Sequence, residues 1–299
     1  MRIRKDRLLA IALISPSVLA IAVFVYGFIA WTVRASVSAW RGLLPDYTFV
    51  GFSNFIGLFR DPRFQIDMRN TGIFTVLFLA ACLGIGLLLA ILLDQRPRGE
   101  GLFRNVYLFP MAISFIVTGV VWRWLLNPAT SIERLSGINL LFHKAGLDFL
   151  ICKWYTHSRL GIAAIVIPAT WQMSGFTMAL YLAGLRSIPE ELREAARVDG
   201  ASEWQIYRHI VLPMLKPVTL SAVIILGHIS LKIFDLVMAI TQEGGEGYSA
   251  DVPALNMWYT AFRALRFGQG AAIAIIILLT VAVLVVPYLI YTFRTEVEQ

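Results

Sequence analysis

Long apolar runs separated by shorter polar stretches make up most of the chain. A membrane-spanning helix needs about 20 mostly apolar residues. Six runs reach that length, at residues 8–33, 71–93, 106–126, 160–185, 218–240 and 271–291. Prolines within the runs, such as Pro16, Pro110 and Pro168, predict kinks that neighbouring helices can accommodate. The pattern predicts an all-α polytopic membrane protein with six transmembrane helices, which form a single membrane domain over residues 1–299.

Composition supports a membrane protein. Of the 299 residues 58% are hydrophobic and only 15% are charged, whereas a soluble chain of this length would carry more charge. The first run is too long for the apolar part of a signal peptide, about 7–15 residues, so we interpret it as an uncleaved span. The net charge of +7 fits basic residues at cytoplasmic helix ends and anionic headgroups, so no nucleic-acid partner is expected.

Positive charge gives a weak indication of orientation, because the two sets of connecting segments carry nearly equal numbers of Lys and Arg. The basic cluster before the first run favours a cytoplasmic N-terminus: Arg2, Arg4, Lys5 and Arg7. An even number of spans then places both termini in the cytoplasm. The polar stretch between the fourth and fifth runs lies on the same side.

That stretch, residues 189–213, is a long polar run with helix-forming character in an otherwise apolar chain. Its local signals are a helix-start proline, a stop glycine, a capping box and a closing proline: Pro189, Gly200, Ser202 with Gln205, and Pro213. They predict two short helices, the first starting at the first proline and the second ending before the last. On these signals alone, a capped amphipathic surface helix is the alternative interpretation.

The spacing within residues 189–213 adds a family resemblance. Glu-Ala-Ala at 194–196, Gly200, and Ile210-x-Leu212-Pro213 resemble the EAA loop of ABC importer permeases. In that family the loop is cytoplasmic and holds a coupling helix that docks into a cleft on a separate ATPase subunit. The resemblance implies an ATPase-coupling role for nine residues: Glu194, Ala195, Ala196, Asp199, Gly200, Ala201, Ile210, Leu212 and Pro213.

Further motifs resemble the sugar-type branch of these permeases, of the maltose-importer class. They are Gly51-Phe52-Ser53-Asn54-Phe55, Phe234-Asp235, Thr241, Gly244-Gly245, Tyr259-Thr260-Ala261-Phe262, Phe267-Gly268 and Ala271-Ala272. The branch usually has a proline after the double glycine, where this chain has Glu246. The resemblance implies a type I ABC sugar importer in a bacterial or archaeal cytoplasmic membrane. Its other parts would be a second permease forming a heterodimer, two ATPase subunits and an extracytoplasmic solute-binding protein.

Candidate substrate contacts lie in and after the fifth run. An ionisable side chain at membrane depth is costly unless it is paired or faces water. One interpretation is that Lys232, Asp235 and His228 line a translocation cavity. The alternative is that Lys232 and Asp235, three residues apart, form an intrahelical ion pair. Phe234 and Tyr248 offer aromatic faces for a sugar ring. Three residues of the fourth run are better explained by packing: Trp171, Gln172 and Tyr181.

No catalytic motif is present in the sequence. It has no GxxxxGK[ST] phosphate-binding loop, no His pair at metal spacing, and no GxSxG or S-x-x-K run. Cys82 and Cys152 are not expected to pair, and the chain is expected to bind no metal or cofactor. We therefore predict a transport subunit, with ATP and Mg bound by the partner ATPase. The alternatives are the same architecture for glycerol phosphate or a polyamine, or an ATP-independent secondary transporter.

Overall fold

The computed structural model describes residues 2–159 and 161–297, and side chains over 11–159 and 161–290. The α-helices of these residues are α1 (Arg2–Ile21), α2 (Phe28–Ser36), α3 (Ser53–Arg60), α4 (Pro62–Asp94), α5 (Glu100–Leu108), α6 (Phe115–Leu125), α7 (Gly137–Lys144), α8 (Gly161–Arg186), α9 (Glu190–Val198), α10 (Glu203–Ile206), α11 (Leu212–Met214), α12 (Lys216–Leu231), α13 (Asp235–Thr241), α14 (Pro253–Trp258) and α15 (Phe267–Val297). Within the described ranges there is no strand, only an isolated bridge between Ser38 and Phe49. The predicted all-α class is confirmed.

The helices provide up to six membrane crossings among the described residues. Four are long and apolar enough to cross a bilayer alone: Ile11–Ser36, Pro62–Asp94, Gly161–Arg186 and Phe267–Ile290. Two more are bent pairs, Glu100–Ala112 with Phe115–Leu125 at 97° and Glu203–Met214 with Lys216–Leu231 at 60°. Counting each pair once gives six crossings, the predicted number. The second pair, however, begins within the 189–213 segment and shares only α12 with the predicted fifth span, residues 218–240. Leu160, the predicted first residue of the fourth span, lies outside the described residues.

The third predicted span, residues 106–126, is not one helix. Helix α5 ends at Leu108, a 3-10 turn follows, and α6 starts at Phe115 after a sharp bend. Pro110 has no N–H with which to continue α5. Ser114 then adopts an extended conformation, and its hydroxyl oxygen accepts a hydrogen bond from the Val117 N–H at 3.3 Å, which caps a new helix. The expected kink at Pro110 is therefore a break.

The fifth predicted span, residues 218–240, is also interrupted. Helix α12 ends at Leu231 and α13 begins at Asp235. Between them Lys232 leaves helical geometry, and Phe234 has φ −131° and ψ −59°. An uninterrupted apolar run thus holds two helices, and the prediction of one continuous helix is wrong.

One compact unit comprises residues 2–62 and 256–279. The Trp40 ring lies among three other aromatic rings at centroid distances of 4.8 to 5.8 Å: Trp31, Tyr47 and Phe267. This cluster joins the middle of α2, the loop that follows it and the start of α15. The aromatic side chains therefore bring together segments more than 200 positions apart in the numbering.

Asn54, from the Gly51–Phe55 motif, fixes the loop that follows α2. Its side-chain amide donates hydrogen bonds to the carbonyl oxygens of Ser36 and Ser38, both at 2.9 Å. Gly268 of α15 approaches the same loop, since a Cβ there would lie 2.5 Å from the Ser38 oxygen. The motif's asparagine thus satisfies carbonyl groups that the helix end leaves without partners.

The other compact unit comprises residues 63–255 and 280–297. Helices α4 and α8 approach closely within it, because a Cβ added at Gly86 would lie 2.6 Å from the Thr177 Cβ. A buried apolar cluster joins these two helices to the 189–213 segment and to the residue that precedes α12: Ala90, Leu93, Met178, Tyr181, Leu182, Leu185, Ile188, Ile206, Val211 and Leu215. The polar segment is therefore anchored to two of the membrane spans.

Candidate functional site

The 189–213 segment begins with a helix that ends in a tight turn. Helix α9 starts at Glu190, and Pro189 precedes it with an extended ψ of 129°, so Pro189 is not the first helical residue as predicted. Gly200 has φ +82°, and its N–H donates to the Arg197 carbonyl at 3.0 Å. The Ala201 N–H reaches back to the Ala196 carbonyl at 2.9 Å. These two bonds form a Schellman motif, and the predicted stop at Gly200 is confirmed.

The second half of the segment starts with the predicted capping box. The Ser202 hydroxyl accepts from the Gln205 N–H at 3.4 Å, and the Gln205 side-chain oxygen accepts from the Ser202 N–H at 2.7 Å. Helical structure then continues through a π turn, Tyr207–Val211, to Met214. The expected end before Pro213 is wrong, because the wider turn accommodates a proline that lacks an N–H.

The segment has one buried side and one exposed side. Ile206 and Val211 are 1% and 0% exposed and belong to the apolar cluster with α4 and α8. Val198 and Trp204, on either side of the Gly200 turn in sequence, are 87% and 69% exposed. Large apolar side chains held at the tip of an anchored hairpin indicate a contact surface. Neither residue is among the nine predicted coupling residues, although each lies within a few positions of the Gly200 turn.

The predicted coupling residues divide between these two sides. Three are partly buried and pack against the apolar cluster: Ala196, Ala201 and Ile210. Six are exposed: Glu194, Ala195, Asp199, Gly200, Leu212 and Pro213.

Ion pairs stiffen the hairpin itself. The Arg197 Nε lies 2.8 Å from a Glu203 carboxylate oxygen, and its Nη1 lies 3.3 Å from Glu190. The Glu203 contact joins α9 to α10 across the Gly200 turn, whereas the Glu190 contact lies within α9. Hydrogen bonding from Arg197 lowers the pKa of Glu203 below its ordinary value. All three side chains are well exposed, so the pairs contribute little stability and mainly fix geometry.

A second arginine ties the 189–213 segment to the end of α4. The Arg193 Nη1 lies 3.0 Å from an Asp94 carboxylate oxygen, and the two side chains are only 12% and 10% exposed. The Arg193 Nη2 also donates to the Leu185 carbonyl at 3.3 Å. A cavity of about 950 Å³ lies beside this ion pair. Sequence reasoning missed the pair, because its members are 99 positions apart.

The ionisable residues of the fifth span lie at its interruption. Lys232 is exposed at the C-terminal end of α12, and Asp235 is the exposed first residue of α13. These two described side chains form no ion pair with each other, because the helix breaks between them. Of the two alternatives considered for them, the intrahelical ion pair is therefore wrong. Each charge instead complements the dipole of its own helix end. His228 and Phe234 are partly buried nearby in sequence.

Tyr248 belongs to a different cluster, in the connection after α13. The Arg63 guanidinium lies 4.6 Å from the Tyr248 ring centroid, and its Nε lies 2.8 Å from a carboxylate oxygen of the fully buried Asp251. The Asn70 amide donates to the carbonyls of Tyr248 and Asp251 at 3.0 and 2.9 Å. Burial raises the pKa of Asp251 above its ordinary value, and Arg63 opposes this shift. The structure therefore ties Tyr248 to Arg63.

The polar residues of the fourth span make structural contacts. The Gln172 amide donates to the Ile113 carbonyl at 2.6 Å, where the chain bends before α6. The Tyr181 hydroxyl donates to the Thr219 hydroxyl oxygen at 3.0 Å and joins α8 to α12. Trp171 is 41% exposed. These contacts agree with the packing interpretation of the two buried residues.

Cys82 and Cys152 are free thiols. Over the described part of the chain, no group of three or more His, Cys, Asp or Glu side chains is placed to hold a metal ion.

Comparison with known proteins identifies the family. The model of the family described as "binding-protein-dependent transport system inner membrane component" matches residues 82–297, so the chain belongs to that family. A probable ABC transporter permease protein of Pyrococcus horikoshii is 43% identical over 296 residues, 99% of each chain. The xylose/arabinose import permease protein XacH of Haloferax volcanii is 34% identical over 274 residues, 91% of this chain and 84% of that protein.

A solved structure shows the same fold. A chain of a bacterial alginate ABC transporter, crystallised in complex with an alginate pentasaccharide-bound periplasmic protein, superposes with a TM-score of 0.80 at 23% identity. The match covers 95% of this chain and 93% of that one. The predicted ABC permease is confirmed: the chain is a multi-pass transport subunit of a membrane importer and not an enzyme.

Proposed function

We propose that this permease takes up a sugar and that its 189–213 segment is the docking site for a separate ATPase. The observation that carries the docking proposal is the two-sided hairpin. Val198 and Trp204 are exposed at its tip, while Ile206 and Val211 are buried against α4 and α8. A rigid element with one exposed apolar end and one end buried among the spans can transmit a push from a partner into the membrane.

For the rest of the transporter we propose the arrangement that the resemblance to ABC importers implies. ATP and Mg bind to two ATPase subunits, a second permease completes a heterodimer, and an extracytoplasmic binding protein delivers the solute. Closure of the ATPases around ATP moves the 189–213 segment, and the spans alternate between outward and inward access. The importer lies in the cytoplasmic membrane of a bacterium or archaeon, with both termini in the cytoplasm.

A sugar cargo is supported by the relatives and by the fifth span. The Haloferax volcanii relative is a xylose/arabinose import permease, and the structural neighbour belongs to an alginate transporter. The break between α12 and α13 leaves backbone groups outside a helix, which membrane proteins tolerate where the backbone is buried or lines a wet cavity. Lys232 and Asp235 are exposed at this break, with Phe234 between them. We assign this place to the solute path, where hydroxyl groups and a sugar ring face find partners.

The docking role is tested at Glu194, which is exposed on α9. Replacing it by lysine in the assembled transporter reverses a charge on the surface offered to the ATPase. Glu194→Lys is expected to lose co-purification of the ATPase, or ATP-dependent uptake, while membrane insertion stays at the parental level. Glu133→Lys, on an exposed outer connection, is the charge-matched control. Parental assembly and uptake in Glu194→Lys would refute the docking role.

The solute path is tested by the water accessibility of single cysteines in a background lacking Cys82 and Cys152. Lys232→Cys and Asp235→Cys are expected to react rapidly with a membrane-impermeant charged thiol reagent, because the break is wet. Ile225→Cys, exposed on the unbroken apolar part of α12, is the control and is expected to react slowly. Equal rates at all three positions would contradict the assignment. Uptake measurements compare the cargo alternatives. Slower uptake of glycerol phosphate than of neutral sugars would argue against glycerol phosphate as the cargo.

A further inference from the structure

We propose that the Arg193–Asp94 ion pair makes α4 move together with the 189–213 segment, so that the ATPase drives the second span as well as the fourth and fifth. Arg193 is thus a positioning residue for coupling. The inference rests on the proposed docking function of the segment. It concerns what happens after docking, when motion of the hairpin has to reach the membrane spans.

Chain connectivity alone does not carry motion to α4. The 189–213 segment is covalently continuous with α8 before it and with α12 after it. Helix α4 ends at Asp94, and the chain then leads into α5. A displacement of the hairpin therefore reaches α4 only through side-chain contacts. Among the described residues, the Arg193 to Asp94 contact is the ion pair that joins the segment to α4.

The ion pair is built for a strong, directional contact. Both side chains are about nine-tenths buried, so water and salt screen the attraction far less than at an exposed pair. The same guanidinium donates to the Leu185 carbonyl at the end of α8. One planar group thus holds three elements, α9, α4 and α8, at fixed mutual positions.

A neighbouring arginine completes the connection. The Arg186 Nη2 lies 2.9 Å from a Glu100 carboxylate oxygen and 3.4 Å from the Leu93 carbonyl. It therefore joins the end of α8 to the end of α4 and the beginning of α5. Arg197 provides the contrast, because its partners Glu190 and Glu203 lie within the hairpin. It stiffens the segment without tying it to a membrane span.

The test measures whether the two elements move as one body in the complete transporter. Spin labels at Gln95→Cys and Glu191→Cys, both exposed, report the distance from the end of α4 to α9. The background carries Cys82→Ala and Cys152→Ser. In the parental transporter, the distance between the two labels is expected to be the same in the nucleotide-free state and in the state trapped with ATP and vanadate. Asp94→Asn and Arg193→Gln are expected to change or broaden that distance on trapping.

A second readout follows the energy coupling. Asp94→Asn is expected to lower the ATP hydrolysis stimulated by the cognate binding protein about 10-fold, within the range that substitutions along a coupled element produce. The charge-reversed double variant Asp94→Arg with Arg193→Asp is expected to restore both readouts. Arg98→Gln, an exposed arginine after α4, is the matched control and leaves both unchanged.

The inference is overturned if Asp94→Asn keeps a single, unchanged distance on trapping, or if the double variant assembles normally without rescue. Failure of the underlying docking function has a different signature. In that case a Val198→Cys probe forms no cross-link to the ATPase in the parental transporter, and trapping leaves every distance unchanged. Membrane yield and elution of the assembled complex separate loss of folding from both results.

Discussion

At the scale of single residues, the largest penalties attach to buried charges that lose an oppositely charged partner. Arg63 neutralises the fully buried Asp251. Arg63→Ala is expected to destabilise the protein by about 3–5 kcal/mol, the cost of leaving a buried charge without its partner. Unfolding of the purified protein in detergent measures the change. The double variant Arg63→Met with Asp251→Leu is expected to lose less, because neither charge remains. A double variant as unstable as Arg63→Ala would contradict this.

The same substitution is expected to make stability depend on pH. Burial already raises the pKa of Asp251, and Arg63 opposes that shift, so removing Arg63 raises the folded-state pKa further. A carboxyl group whose pKa is raised by folding binds more protons when folded than when unfolded. Stability therefore falls as the pH rises from the unfolded value toward the raised one. The stability of the Arg63→Ala variant should accordingly be closer to that of the parent in acid than at neutral pH.

Residues that act on near neighbours could be predicted from the sequence, and those that act across the fold could not. The Gly200 stop and the box formed by Ser202 and Gln205 are set by hydrogen bonds within a few positions. The Arg63 to Asp251 contact joins positions 188 apart. Nothing local to either residue indicates its partner, so only the packing of α4 against the later connection brings them together.

At the scale of elements, close helix contacts depend on glycine. A Cβ at Gly86 of α4 would lie 2.6 Å from the Thr177 Cβ of α8, whereas a Cβ at Gly84 would have no neighbour within 4 Å. Gly86→Ala is expected to force the two helices apart and to cost about 1–3 kcal/mol, as overpacking does. Gly84→Ala on the same helix is the matched control and is expected to be nearly neutral. The measurement is again unfolding in detergent.

A result in which both glycine variants behaved alike would show that α4 and α8 do not depend on this approach. The combination of Gly86→Ala with Thr177→Gly provides a further check. It removes the opposing Cβ and is expected to recover part of the loss. Since Thr177 is fully buried, some cost remains from the side chain that is removed.

Apolar run length predicted where spans lie but not where they break. Hydropathy adds up over a window, so it is insensitive to one residue that leaves helical geometry. The bend before α6 involves Pro110 and two extended residues, Ile113 and Ser114, and the interruption after α12 occupies residues 232–234. Both proline and ionisable residues were visible in the sequence. Whether they break a helix depends on whether neighbouring segments supply hydrogen-bond partners for the freed backbone N–H and C=O groups. The sequence alone does not give those partners.

At the scale of the whole molecule, the proposed function requires two surfaces on opposite sides of the membrane. The tip of the 189–213 segment has to face the cytoplasm, and the connection after α13 has to face outward. Trp204 and Glu246 are exposed at these two places. An odd number of crossings must separate them, and the fifth span supplies one. The two sets of connecting segments carry nearly equal numbers of Lys and Arg, so labelling from each side of the membrane is the direct test of this orientation.

Sided labelling of single cysteines tests the orientation. In cells with an intact cytoplasmic membrane and a permeable outer barrier, Glu246→Cys is expected to react with a membrane-impermeant thiol reagent and Trp204→Cys to be protected. Inside-out vesicles are expected to reverse the pattern, because the cytoplasmic face then meets the reagent. Detergent solubilisation, which exposes both positions, controls for intrinsic reactivity. Labelling of Trp204→Cys from outside would leave the hairpin without access to ATP-driven subunits, and the docking proposal would fail with it.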